Sequence, residues 1–166
     1  MSELNKTLVE PSHSIYQVLL QKHPPSLLRR DGKRPDGATL DPWSRGQSLV
    51  WDFTCPDTLA PSHLNQSSMA AGSAAEGAEE IKRNKYRELA EAPEYVFVPI
   101  AIETLGAWGQ AAQDFARDLG GRLTAVTGDP RETAWFRQRM DIAVQRGNAA
   151  AVIGTLPPSL RGIFEA

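Results

Sequence analysis

The apolar positions of this chain change their spacing from segment to segment, and each spacing predicts an element. Leu49, Trp51 and Phe53 alternate with Val50, Asp52 and Thr54, a period of two that predicts a strand ending at Cys55-Pro56. Upstream, Arg29-Arg30-Asp31-Gly32-Lys33-Arg34-Pro35-Asp36-Gly37 is basic and turn-rich and leads into a strand that runs to about Leu40. Between the two, Asp41-Pro42-Trp43-Ser44-Arg45-Gly46 has the composition of a chain reversal. Asp36 and Asp52 therefore fall on adjacent strands of a hairpin.

Before the hairpin, Ile15, Val18, Leu19 and Leu20 form a short helical stripe that His23-Pro24-Pro25 must end. Residues 58–73 are rich in Ser, Ala and Gly and read as loop, with Ser73 the N-cap of a helix over about 74–90. At about 100° per residue, Ala74, Ala78, Ile81 and Leu89 fall on one narrow stripe of that helix. Lys85 falls in the middle of the stripe and Lys82 at its edge, while Glu76, Glu79, Glu80, Arg83 and Arg87 take the outer side. Pro93 closes the helix, and 95–102 is a continuous apolar run of the kind a buried strand carries.

After a break at Gly106-Ala107-Trp108-Gly109, helical spacing returns at Ala112, Phe115, Leu119, Leu123 and Val126, weakly interrupted by Gly120-Gly121. A second helix opens at Asp129-Pro130-Arg131-Glu132, with Asp129 as cap and Glu132 reaching back, and continues to about Ile153. These elements predict an α/β fold: a small mixed sheet of hairpin strands plus the 95–102 strand, flanked by the 74–90 helix, with two C-terminal helices packed on it. Residues 1–28 are expected to be poorly structured or a short helix, 29–105 to form the core, and 106–166 to be a helical part of the same domain.

Composition narrows the class. The 166 residues are 41% hydrophobic and 23% charged with a formal net charge of -2, the mix of one ordinary soluble domain and not of a polybasic nucleic-acid arm. No apolar run approaches the roughly 18 residues of a membrane span, and no secretion signal is legible, so a nuclear or cytoplasmic location without membrane contact is expected. The single cysteine, Cys55, leaves no internal disulfide and no multi-thiolate zinc site, and reads as a buried inert thiol. His13, His23 and His63, scattered among prolines and serines, read as surface loop positions.

The chemistry lies with Asp36, Asp52 and the lysines of the 74–90 helix. A carboxylate between Trp51 and Phe53 is costly to bury unless a cation or donors compensate it. A lysine on the apolar stripe has the same difficulty with opposite sign, so a helix packed on the hairpin brings Lys85 toward the two aspartates. Two carboxylates beside a lysine make a site of the kind that binds Mg²⁺ for phosphodiester hydrolysis. The same spacing also describes a turn-forming Asp36 and a structural Asp52–lysine ion pair. Arg30, Lys33 and Arg34 are candidate phosphate-backbone contacts or a nuclear-import patch, with a solvated loop as the alternative.

The run from Asp31 to Gly37, the stretch GQSLVWDFTCPDTL at 46–59 and Lys82-Arg83-Asn84-Lys85-Tyr86 resemble the restriction-like endonuclease domain, of the PD-(D/E)xK nuclease class, that follows the reverse transcriptase of certain non-LTR retrotransposons. The segments VFVPIAIETLGAWG and VQRGNAAAVIGTL resemble the tails of such proteins. The resemblance implies a restriction-endonuclease-like fold and a DNA-nicking activity with Mg²⁺ or Mn²⁺ held by Asp36 and Asp52. It also implies Lys85, with Lys82 as runner-up, as the catalytic lysine, and Tyr86 as the orienting or DNA-contacting group. Thr54 stands where the class places a lysine on the strand, so the helix is expected to supply it. No acid stands at Lys22-His23-Pro24-Pro25, where the first helix of the class often carries one. The expected partners are DNA and, in a parent protein, a reverse transcriptase or element RNA. A chain of this length has no room for the polymerase, so a detached piece of an element is expected: an active nuclease, a silent remnant used as a binding or interaction module, or one without function. A DNA-binding domain that does not cleave is a further alternative.

Overall fold

In the computed structural model, residues 21–22 and 34–157 are described. The helical stripe expected at 15–20, together with Arg30 and Lys33, lies outside the described residues. Four strands, β1 (Gln21–Lys22), β2 (Gly37–Ala38), β3 (Ser48–Thr54) and β4 (Tyr95–Ala101), form one mixed sheet in the order β1-β2-β3-β4. β1, β2 and β3 run antiparallel, while β3 and β4 run parallel with Ser48 opposite Tyr95 and Asp52 opposite Pro99. A proline is tolerated there because β4 closes the sheet as an edge strand, whose outward amides need no ladder partner.

The chain between β3 and β4 folds as three helices: α1 (Leu64–Ser67), α2 (Ser73–Lys85) and α3 (Arg87–Glu91). The long helices α4 (Gln110–Thr127) and α5 (Glu132–Thr155) follow β4. None of the described helices is long and apolar enough to cross a membrane.

The alternation in β3 sorts its side chains between two cores. Leu49, Trp51 and Phe53 join Ile100, Phe115, Leu119, Phe136 and Met140 in the larger core beneath α4 and α5. Val50, on the opposite face, packs with Ala38, Tyr86 and Leu89 beneath α2 and α3. Full burial of side chains such as Leu49, Ile100 and Leu119 contributes about 1.5–3 kcal/mol each, so the sheet is held from both sides. Two tryptophans finish the larger core in the same way. The Trp43 indole N–H donates to Asp118 (3.0 Å) with the Arg122 guanidinium over its ring, and that of Trp108 donates to Asp141 (2.7 Å) under Arg137.

Several local expectations change. The first hairpin strand is two residues long and ends before Leu40, which is exposed. Four residues of the expected 58–73 loop are helical. The 74–90 helix divides at Tyr86, whose φ of -110° and ψ of 28° end α2 and start α3. The N-cap of α2 is Gly72 in the left-handed region (φ 90°), and Ser73 lies within the helix with a buried hydroxyl that has no hydrogen-bond partner. The 110–127 helix runs unbroken through Gly120-Gly121, because Thr133 of α5 packs where a Gly120 side chain would stand. The last helix begins at Glu132 with Arg131 as its N-cap, two residues later than expected, and Asp129 accepts the Arg131 amide (2.8 Å) in the turn before it. Cys55 is exposed, not buried.

The stripe predicted for α2 is rotated. Ile81 is 69% exposed and Lys85 also faces solvent, while Glu79 is 1% exposed and Tyr86 fully buried. The packing face is set by Ala74, Ala75, Glu79 and Tyr86, with Lys82 at its border. Hydrophobic periodicity missed this because Glu79, the most polar residue of that face, is buried for a hydrogen-bonding reason.

Candidate active site

Asp52 lies on the β3 face that α2 covers. Its side chain is 4% exposed and both carboxylate oxygens are engaged: Oδ2 pairs with Lys82 Nζ, and Oδ1 lies 3.1 Å from the Tyr86 hydroxyl. That hydroxyl also reaches the Arg34 carbonyl oxygen at 2.9 Å and has one proton for the two acceptors. The Tyr86 ring rests on Phe97, with centroids 5.1 Å apart, so packing and hydrogen bonding both fix its position. The burial cost of Asp52 is met by one ammonium and one phenol.

Asp36 approaches from the next strand. Its amide donates to the Trp51 carbonyl (3.0 Å), and its Oδ2 accepts the Phe53 amide at 2.7 Å. Asp36 thus grips the β3 backbone on either side of Asp52 and continues the ladder that the short β2 cannot. The next residue must be glycine: a Cβ on Gly37 would stand 2.1 Å from the Trp51 ring.

The two lysines have different surroundings. Lys82, 21% exposed at its side chain, is the cation on Asp52. Lys85, expected at the centre of the apolar stripe, is exposed and holds its ammonium 4.7 Å from the Tyr86 ring centroid. The inward direction expected for Lys85 is therefore corrected: the lysine placed at the edge of the stripe makes the contact with Asp52, because the face of α2 is rotated by the burial of Glu79. Arg34 is exposed, and its backbone joins the site through Tyr86.

The donor chemistry suits a hard divalent cation, since Mg²⁺ is commonly held by one or two carboxylates together with waters and substrate phosphate. Asp36 and Asp52 are such a pair on neighbouring strands. Among the described residues no group of three His, Cys, Asp or Glu side chains forms a larger metal cluster.

Two buried glutamates not anticipated as site supports hold the helices around this face. Glu79 Oε2 and Oε1 accept the amides of Ala111 and Ala112, each at 2.9 Å, at the start of α4. Burial pushes its carboxyl above the ordinary range, while those two amides and the Arg83 guanidinium pull in the opposite direction. Gly109, the N-cap of α4, leaves room for it: a Cβ there would lie 2.3 Å from Glu79 Oε1. Glu103 Oε1 in turn accepts the amides of Ala74 (3.0 Å) and Ala75 (3.3 Å) at the start of α2. For α4 the sequence signal was a glycine, Gly109, in place of a capping Ser, Thr, Asp or Asn, which leaves orphan amides for a distant acceptor; for α2 the serine next to the true N-cap, Gly72, hid the same signal.

Beside Lys82, at the end of β3, a cavity of about 320 Å³ opens between α2 and the 54–66 segment. Thr54, His63, Gln66 and Lys82 line it, with Pro56 and Ile81 among its apolar walls. His63, Gln66 and Thr54 were not distinguished as site residues by sequence.

No family model matches this chain, and no curated protein matches it.

Proposed function

We propose that this chain is a metal-dependent DNA endonuclease module of the restriction-like PD-(D/E)xK class, resembling the nuclease of retrotransposon-encoded proteins. The observation that supports the reading is the meeting of Asp52, Lys82 and Tyr86 across β3 and α2, with Asp36 latched beside them just ahead of β2. In this reading Asp36 and Asp52 hold Mg²⁺ or Mn²⁺. The bound ion supplies Lewis-acid polarisation of the phosphodiester and a more acidic water. Lys82 keeps a positive charge where phosphate charge builds up, Tyr86 fixes the orientation of Asp52, and Asp36 fixes its strand against β2. Lys85 and Arg34 offer charge to the DNA backbone outside the site. In this reading the chain acts on DNA in the nucleus or cytoplasm, with a reverse transcriptase and its element RNA as partners within a parent protein.

The engagement of both Asp52 oxygens favours a second reading, in which the pair with Lys82 is structural and the domain is a silent module. The deciding experiment incubates the folded chain with supercoiled plasmid and Mg²⁺ or Mn²⁺. Metal-dependent nicking that disappears in Asp52→Ala supports the nuclease. Absence of nicking with both metals refutes it.

A further inference from the structure

The cavity beside Lys82 contains more polar capacity than the fold uses. His63 Nδ1 is 2.8 Å from the Asp57 carbonyl oxygen, an arrangement in which Nδ1 carries the proton and donates it, leaving Nε2 without a protein partner. Among the described residues the Gln66 side-chain amide and the Thr54 hydroxyl have no hydrogen-bond partner, and the Lys82 ammonium has donors beyond the one on Asp52. These four groups come from the end of β3, the loop before α1, α1 itself and α2. Their meeting is a property of the fold and not of one segment. The remaining wall is apolar, contributed by residues such as Pro56, Ala78 and Ile81. An apolar slot of about 320 Å³ with a few polar groups converging on it is the usual form of a small-molecule site.

We infer that this cavity is a subsite for one nucleotide of the cleaved strand, next to the scissile phosphate, with Lys82 on phosphate oxygens, His63 Nε2 accepting from a donor of the base or sugar, and Gln66 on the base edge. An apolar wall with an amide at its rim matches a base, which has a flat apolar face and a hydrogen-bonding edge. A cation in the same lining, Lys82, matches a phosphate. Thr54, also in the lining, lies two residues beyond Asp52 on the same face of β3, so an occupant would touch both the proposed catalytic strand and the loop. This assignment rests on the nuclease reading for its role in cleavage, while occupancy by a nucleotide is independent of it.

Gly77 gives the sharpest probe. It lines the cavity, a Cβ added there meets no atom within 4 Å, and Gly77→Leu would fill the slot while replacing a glycine inside a helix. Gln66→Leu is the second variant, because the Gln66 side chain holds no other part of the fold. The full chain is titrated with deoxythymidine monophosphate, deoxythymidine and inorganic phosphate in EDTA, with binding read by NMR shifts and folding by melting temperature. The expected result is saturable binding of the monophosphate, tighter than that of the nucleoside or phosphate alone. Gly77→Leu and Gln66→Leu should weaken it by about tenfold or more with no fall in melting temperature. Asp36→Asn should still bind. No saturable binding by the wild type, or full binding by folded Gly77→Leu, overturns the subsite. Binding without plasmid nicking by the wild type separates failure of the nuclease from failure of the subsite.

Discussion

Lys82 and not Lys85 is the cation on Asp52, although the two lysines sit less than one helical turn apart. Lys82→Ala leaves a carboxylate that is 4% exposed with only the Tyr86 hydroxyl beside it. Partial exposure of Lys82 allows water to replace some of the lost contact, so the expected destabilisation is about 2 kcal/mol. Lys85→Ala removes one exposed cation–π contact, worth about 0.5–1 kcal/mol. Urea unfolding measures both, and plasmid nicking should fall to background in Lys82→Ala and persist in Lys85→Ala. The reverse order in the two assays would place the site on the other face of α2.

What made this ordering hard to read from sequence is the same feature that made the rest easy. The period of two in β3 assigned Asp52 to the helix-covered face, because alternation depends only on strand geometry. The mixed α/β class and the two C-terminal helices followed from periodicity in the same way. The rotation of α2 did not, because it is set by Glu79 reaching the amides of Ala111 and Ala112, residues 32 and 33 positions away. A hydropathy pattern places a glutamate outside unless its distant donors are known. The cavity was invisible for a similar reason, since His63 and Gln66 meet Lys82 only after the 54–66 segment closes over α2.

Glu79 itself predicts a pH dependence. Burial is the largest influence and raises its folded pKa above the ordinary glutamate value of 4.5, so the folded state binds this proton more tightly than the unfolded chain. The stability associated with that proton is fully present below the unfolded pKa and is lost as pH rises through the folded pKa. Relative to Glu79→Gln, the wild type should therefore lose stability as pH rises above the unfolded pKa and through the raised folded pKa. Urea midpoints of the two proteins across that range test this, and a wild type that gains on the variant with rising pH would contradict it. Glu79→Ala leaves two amides of α4 without an acceptor and should cost about 3 kcal/mol at neutral pH.

Gly109 and Glu79 should be energetically coupled. A Cβ on Gly109 would meet the Glu79 carboxylate at 2.3 Å, so Gly109→Ala must displace the carboxylate that binds the start of α4. Gly109→Ala is expected to destabilise by about 1–3 kcal/mol in the wild type and by clearly less in Glu79→Ala, where the obstruction is gone. Thermal unfolding of the four proteins of this cycle gives the coupling. Strict additivity would mean that the loop moves and the carboxylate does not.

Asp129 and Arg131 give a local test at the start of α5. The Arg131 side chain and amide both hydrogen-bond the Asp129 carboxylate and lower its pKa from 3.8 to about 2. A lowered pKa contributes stability above the unfolded value that is lost as pH falls through the folded one, here between 3.8 and about 2. Carboxyl NMR titration should find Asp129 ionised well below the usual aspartate midpoint. In Arg131→Gln the midpoint should rise toward the ordinary value, and no movement would leave the Arg131 contacts without effect in solution.

Metal addition distinguishes a working carboxylate pair from a structural one without relying on turnover. A cation that binds only the folded chain raises its stability by RT ln(1 + [L]/Kd), about 2.7 kcal/mol when its concentration is a hundredfold above Kd. If Asp36 and Asp52 are the ligands, Mg²⁺ or Mn²⁺ should raise the melting temperature of the wild type at constant ionic strength and leave Asp36→Asn unchanged. Asp36→Asn is the suitable control because its amide oxygen can still accept the Phe53 amide that Asp36 Oδ2 holds at 2.7 Å. Asp52→Asn is less suitable, since it also abolishes the ion pair with Lys82 and alters stability before any metal is added. Lys82→Met adds a further check: removing the ammonium from Asp52 should tighten metal binding while it abolishes nicking, because the cation and Lys82 share one carboxylate. Equal metal responses in wild type and Asp36→Asn would assign the pair to the fold alone.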